Sequence, residues 1–304
     1  MTLVITTCTN RKRKAVPGRF YMGALARSPL AGVAADWGNR LRETAVQFPA
    51  AEIYGGRGFQ EAMAAAALLD ARLMIVSAGL GLIDASTCVP PYACTILHNA
   101  PDGVAGRVSD GFTAPGWWAA LANASPFSLT LRSVAESKGG LILAALSDAY
   151  INMISEDLLA LPQATLERLR LFTRAPAERV PEGIRPLIMP YDDRLDGPDS
   201  EIQGTLSDFA SRAVHHFAKT VTVAQDGRSA SEHAAAVSTS LDGWRLPTKV
   251  ERVRYDDETM LELIRSHWDD PRGRSLRRFR DEFNVACEQG RFRALSDFVR
   301  AERA

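Results

Sequence analysis

Five short apolar runs, each closing on a polar or glycine-rich loop, set the architecture available to this chain: 3–7, 73–76, 141–145, 169–172 and 187–189. Runs this short suit strands and fall below the length of a helix. Between them, 28–47, 59–69, 148–159 and 205–219 carry apolar residues at helical spacing. In 28–47, Ser28 is placed to cap, Pro29 suits the first helical position, and Leu30, Val33, Ala34, Trp37, Leu41 and Val46 form an apolar stripe. Parallel neighbours need crossover connections, so strands alternating with helices predict an α/β fold, a mostly parallel sheet with helices on both faces. With 304 residues and 46% hydrophobic composition, the chain has the side chains to fill such a core.

No run of 18 apolar residues occurs and the chain opens directly on Leu3-Val4-Ile5, so neither a membrane span nor an export leader is expected, and the expected location is the cytoplasm. Cys8, Cys88, Cys94 and Cys287 form no CxxC pair and have no histidines at zinc-ligand spacing, which argues against a disulfide framework or a metal site. Zero formal net charge argues against coating nucleic acid by bulk charge, yet it can hide local patches.

Beyond Val223 the composition turns polar around Gln225 and then becomes a mixture of alanine and serine. The expected organisation is therefore an α/β domain over 1–224, a linker over 225–250 and a small all-α module over 251–304. Helical patterns in the module cover 256–268, 275–283 and 287–300, and the break at Asn284-Val285-Ala286 has helix-turn-helix spacing. The last of these helices carries Phe292, Leu295, Phe298 and Val299 on one side, with Glu288, Gln289, Arg291 and Arg293 mostly on another. Arg272, Arg274, Arg277, Arg278, Arg280, Arg291, Arg293 and Arg300 face only four acids within 272–300, a footprint suited to phosphate. Arg277, Arg278, Arg291 and Arg293 are the candidate DNA contacts. Protein interaction is the alternative use of such a module.

In an open parallel sheet, ligands bind beyond the carboxyl ends of the strands. The first strand leads into Asn10 and the basic run 11–14, where Lys12 and Arg13 could grip phosphate or simply be solvated. Asn10 is either a turn residue or a group that positions a water or a base edge. The second strand leads into 77–83, which lacks both GxGxxG and GK[ST], so no nucleotide cofactor is expected. Ser77, Gly79 and Gly81 could line a pocket, although two glycines in a tight turn need no function. Pro90-Pro91 stiffens the approach to Tyr92, whose ring could stack on a base or be structural; Tyr54, before Gly55-Gly56, is equally ambiguous. Asp192 and Asp193 are the acid/base candidates, because they follow a strand directly and Arg194 could hold one of them ionised; a solvated turn is the plainer reading. Asp208 and Arg212 read as a helical pair, His215-His216 as structural, and Trp117-Trp118 as core or lid.

The Cys-x-x-x-basic loop from Cys8 to Lys12, the Ser-Ala-Gly-Leu-Gly-Leu-Ile loop from Ser77 to Ile83 and the Pro91-Tyr92 pair together resemble the YaaA family of peroxide-stress proteins, over roughly the first 100 residues. That resemblance implies DNA binding and a base-handling fold related to DNA glycosylases. With the C-terminal module added, the chain is also similar to anti-phage DNA glycosylases that remove glucosylated hydroxymethylcytosine.

The expected function is hydrolysis of the N-glycosidic bond of a flipped base without metal or cofactor. Asp192 or Asp193 would stabilise the charged sugar or activate water, Asn10 would position water or base, and Tyr92 would stack. DNA is the expected partner. A ligand-sensing regulator and a nucleoside or base transferase are the alternatives.

Overall fold

The structure is a computed structural model that describes residues 1–137, 139–223, 226–248, 251–270 and 275–303. Gln225, Arg272 and Arg274 therefore lie outside the described residues. The chain divides into two compact units, Met1–Pro247 and Thr248–Ala304. No helix among the described residues is long and apolar enough to cross a membrane.

The first unit contains strands β1 Leu3–Thr7, β2 Phe48–Pro49, β3 Arg72–Ser77, β4 Gly81–Asp84, β5 Cys88–Val89, β6 Ile142–Ala145 and β7 Leu169–Phe172. Its helices are α1 Leu30–Arg42, α2 Ala50–Ile53, α3 Arg57–Leu68, α4 Ala114–Ala124, α5 Leu131–Glu136, α6 Asp148–Met153, α7 Ser155–Leu159, α8 Gln163–Leu166, α9 Phe209–His216 and α10 Ala230–Ser240. Five strands form one sheet in the order β4-β3-β1-β6-β7, and β2 pairs with β5 separately. β1 runs parallel to β3 and β6, and β6 runs parallel to β7, whereas β4 folds back antiparallel on β3. The sheet is thus mixed and mostly parallel. From β1 the chain builds outward through β3, then crosses to the opposite side for β6 and β7, which places the topological switch point between β1 and β6.

The runs 3–7 and 169–172 become strands over those same residues, and 73–76 and 141–145 shift by about one. Near-continuous burial along them is what parallel strands covered by helices require. α3 packs on α9, and the pair lies along β1, β3, β6 and β7, while α1 packs on α4, which reaches β4 and α6. Alanines 62, 65 and 66 on the buried side of α3 allow that close approach.

Six expectations change in the first unit. The run 187–189 is no strand, because a 3-10 turn over Glu182–Leu187 is followed by a single bridge from Ile188 to Leu171. Pro186 and Pro190 bracket it, and proline cannot donate to a ladder. α1 stops at Arg42, leaving Val46 exposed. The stretch 148–159 splits into α6 and α7, and 205–219 into a 3-10 turn, α9 and a π turn over Phe217–Val221. β4 was hidden inside an expected loop. The described part of 225–250 is no linker: Ser229 and Glu232 form a capping box for α10, whose His233 and Val237 are fully buried in the first unit.

The second unit holds α11 Asp257–Ser266, α12 Leu276–Glu282 and α13 Gln289–Glu302 around Met260, Ile264, Trp268, Phe279, Phe292 and Val299. Six residues, not three, separate α12 from α13. Val253 donates to Asn284 and accepts from Ala286, a bridge that holds this segment extended, and Glu288 then caps α13. Phe298 is exposed instead of packed.

Candidate functional site

The carboxyl ends of β1, β3 and β6 converge on a cluster of Cys8, Lys12, Tyr54, Ser77, Tyr92, Cys94 and Tyr150. Cys8 extends the ladder past β1 by donating its N–H to Val76 O at 3.0 Å. The chain then turns at Asn10 and is stitched to the end of α2, with Arg13 N donating to Ile53 O at 2.8 Å and Gly55 N to Arg11 O at 2.9 Å. This leaves Lys12 paired with Tyr54 and its side chain turned inward. Its ammonium lies 4.9 Å from the Tyr54 ring centroid and 4.7 Å from that of Tyr92, and donates to Thr9 O. Both rings are fully buried.

Beneath the lysine, the Tyr54 and Tyr92 hydroxyls are 2.9 Å apart, and the Tyr92 hydroxyl is 2.5 Å from Ser77 Oγ. Ser77 Oγ also accepts from Gly79 N at 3.2 Å and Leu80 N at 3.0 Å. Trp37 Nε1 donates to Gly79 O at 2.6 Å and Trp117 Nε1 to Ala78 O at 2.8 Å, so both tryptophans clamp this loop. A Cβ at Gly79 would stand 2.6 Å from Tyr92 Cε2, which is why no side chain fits there. On the other side, Cys8 Sγ lies 3.1 Å from the Tyr150 hydroxyl on α6, a contact that spans the switch point.

Burial determines the ionisation of this cluster. It raises the Tyr54, Tyr92 and Tyr150 hydroxyls and the Cys94 thiol above their ordinary values. For Lys12, burial outweighs the attraction of Cys8 and Cys94 and pulls the amine below 10.5. No carboxylate pairs with Lys12 among the described residues. A desolvated amine without a counter-ion is biased toward the neutral, nucleophilic form.

A cavity of about 520 Å³ adjoins this end of the sheet, lined in part by Ile96, His98, Phe112, Ala149 and Asn152. Ile96 and His98 follow Cys94, and Ala149 and Asn152 flank Tyr150. The His98 ring stands edge-on to Phe112 at 6.0 Å. A volume of this size suits a small ligand with an aromatic wall and amide or imidazole partners.

The structure therefore unites Lys12, Tyr54, Ser77, Gly79 and Tyr92. Their roles differ from those expected, however. Tyr92 and Tyr54 are buried under Lys12 and offer no stacking face, and the Lys12 ammonium faces their rings rather than a solvent phosphate. Arg13 and Asn10 are exposed on the loop above. Gly81, at φ +83, makes the β3–β4 turn against Ser128.

Asp192 and Asp193 do not join this site. They follow β7, which lies two strands away from β1 in the sheet. Asp192 accepts from Arg194 N at 2.9 Å and pairs with its guanidinium at 2.9 Å. Partial burial acts to raise the Asp192 carboxyl, but the Arg194 hydrogen bonds outweigh it and hold the group below its ordinary range. Asp193 meets Arg174 at 2.6 Å, and Arg174 also meets Asp196, which pairs with the buried Arg212. Each of these carboxylates thus faces an arginine.

In the second unit, Arg278 is packed between Asp270 and Glu282, and Arg291 ties α13 to Asp257 and Tyr255 O. Arg277 and Arg293 reach solvent, each within 4 Å of one acid. Cys94, Tyr150, His98, Phe112 and Asn152 were not singled out in the sequence as site residues. Only Tyr150 carried a signal, its place just past β6.

No group of three or more His, Cys, Asp or Glu that could hold a metal ion occurs among the described residues. No protein-family model, curated protein or solved structure matches the chain.

Proposed function

We propose that the first unit is a DNA glycosylase that works on a flipped, modified base, with Lys12 in place of the aspartates as the reactive group. The observation that carries this reading is the Lys12 amine at the switch point, turned over the Tyr54 and Tyr92 rings with no carboxylate partner among the described residues. The amine lone pair forms a bond to C1′ as the base leaves with the glycosidic electron pair and takes a proton from solvent. The nitrogen then sheds a proton and its lone pair expels O4′, which is protonated, and the resulting iminium is hydrolysed by water to an abasic sugar and free lysine. The cavity beside Tyr150 receives the base, with Phe112 as its wall and His98 and Asn152 as edge partners. The second unit docks the enzyme on nucleic acid. The preference for a modified cytosine, and with it a role in defence against phage, rests on the sequence resemblance alone.

The test is incubation with unmodified, hydroxymethylated and glucosylated DNA, with mass spectrometry for released base and borohydride to trap the iminium. Wild type should release base and form a covalent adduct, and Lys12→Ala should do neither. If no DNA yields free base, the glycosylase reading fails and a ligand-binding regulator replaces it.

A further inference from the structure

We propose that the second unit carries a phosphodiester-binding cleft built by Arg252, Arg254, Arg280 and Arg291, a set that shares only Arg291 with the four DNA contacts expected from the sequence. It deepens the reading of this unit as a nucleic-acid dock and does not depend on base release by the first unit. The cleft has a volume of about 370 Å³ and is lined by these four arginines with Ala286, Cys287 and Glu288.

The bridge between Val253 and Val285 builds it. On an extended segment, alternate side chains share a face, so fixing Val253 against Val285 puts Arg252 and Arg254 together on the other side. Arg280 is held from below by donating to Cys287 O at 2.7 Å, and Arg291 by donating to Tyr255 O at 2.9 Å and Asp257 at 2.6 Å. Two guanidinium groups are thus fixed by backbone contacts, while two on the extended segment are exposed and able to close on a ligand.

The charge in the cleft is only partly offset, by Asp257 on Arg291 at 2.6 Å. No carboxylate pairs with Arg254 among the described residues. Arg252 faces Asp281 at 3.7 Å, with both side chains exposed, a contact that solvent screens and a phosphate readily replaces. Among the described residues Glu288 is the one acid that lines the cleft, and its carboxylate already accepts Gly290 N at 2.9 Å and Arg291 N at 3.0 Å. Helix α13 is therefore capped by its own residue, and the attraction for an anion comes from the guanidinium groups. Their planar donor forks match phosphate oxygens.

The experiment measures binding of the full chain to a short labelled duplex over a series of salt concentrations. The double variant Arg252→Ala/Arg254→Ala should bind about tenfold or more weakly at moderate salt, with a slope of log affinity against log salt shallower by about two units, roughly 0.9 per lost phosphate contact. Arg252→Lys/Arg254→Lys should keep most of the slope, which separates charge from folding. Arg277→Ala/Arg293→Ala should keep it as well. Unchanged duplex isotherms for the alanine double variant overturn the proposal. So does loss of inorganic phosphate binding with duplex binding intact, which would assign the cleft to a small phosphorylated ligand. Base release is scored separately, so its absence would remove the reading of the first unit and leave this one standing.

Discussion

Two strand-end clusters in the first unit hold charge in opposite ways. Beyond β1 and β3, the Lys12 amine faces two aromatic rings with no carboxylate partner among the described residues, while beyond β7, Asp192, Asp193 and Asp196 each meet an arginine. In the sequence both clusters put charged residues after an apolar run, and there the aspartates read as the acid/base candidates and Lys12 as a phosphate grip. The difference teaches that proximity to a strand end does not make a group reactive. Burial without a counter-charge shifts a group toward its neutral form, whereas a matched ion pair favours its charged form.

The sharpest way to break this comparison is to exchange the roles. Lys12→Ala should lower base release by about 100-fold to 10,000-fold, the usual cost of losing a positioned reactive group. In wild type the rate should rise with pH and level off below 10.5, because burial brings the amine to its neutral form early. A plateau reached only above that value would show that Lys12 is not desolvated.

Next in size is a titration on the β7 side. His216 accepts or donates at 2.8 Å to the Tyr191 hydroxyl, and burial, helped by Lys219 and His215, lowers it from 6.5 to about 4. The unfolded chain takes up this proton first as pH falls. Its contribution is therefore fully present above about 6.5 and is lost down to about 4, by up to about 3 kcal/mol. Thermal melts from pH 7.5 to 4.5 should show that loss in wild type and a smaller one in His216→Gln; equal losses would mean another group is responsible.

Gly79→Ala probes the rigid loop under Lys12. A methyl 2.6 Å from Tyr92 must displace the ring, and overpacking of this kind costs about 1–3 kcal/mol. Chemical denaturation should detect it, together with reduced base release; wild-type stability would show that the loop yields freely.

Asp192→Asn should do least. The pair with Arg194 is solvent-facing, so stability should change by less than about 1 kcal/mol and base release by no more than about threefold. A loss comparable to that of Lys12→Ala would restore the aspartates as the reactive pair and overturn the comparison.

Local pattern was enough for much of the fold. The runs 3–7 and 169–172 needed nothing but their own apolarity to be recognised as strands, and Leu30 to Leu41 announced α1 by its stripe. Failures came where partners lie far away in the chain. β4 exists because Gly81 turns the chain back on β3, and α10 was hidden by an alanine and serine composition that is typical of linkers until His233 finds Arg170 at 2.9 Å and Asp226 at 3.0 Å.

The site divides along the same line. Residue types and strand-end positions in the sequence already selected Lys12, Tyr54, Ser77, Gly79 and Tyr92, because loops beyond parallel strands must converge. Tertiary structure alone decided that Lys12 turns inward over two tyrosine rings, that Cys8 reaches Tyr150 across 142 positions, and that Asp192 and Asp193 face arginines elsewhere. The physical reason is that an ionisable group's state depends on the solvent removed from it and the charge opposed to it, and both come from residues that the sequence places far apart.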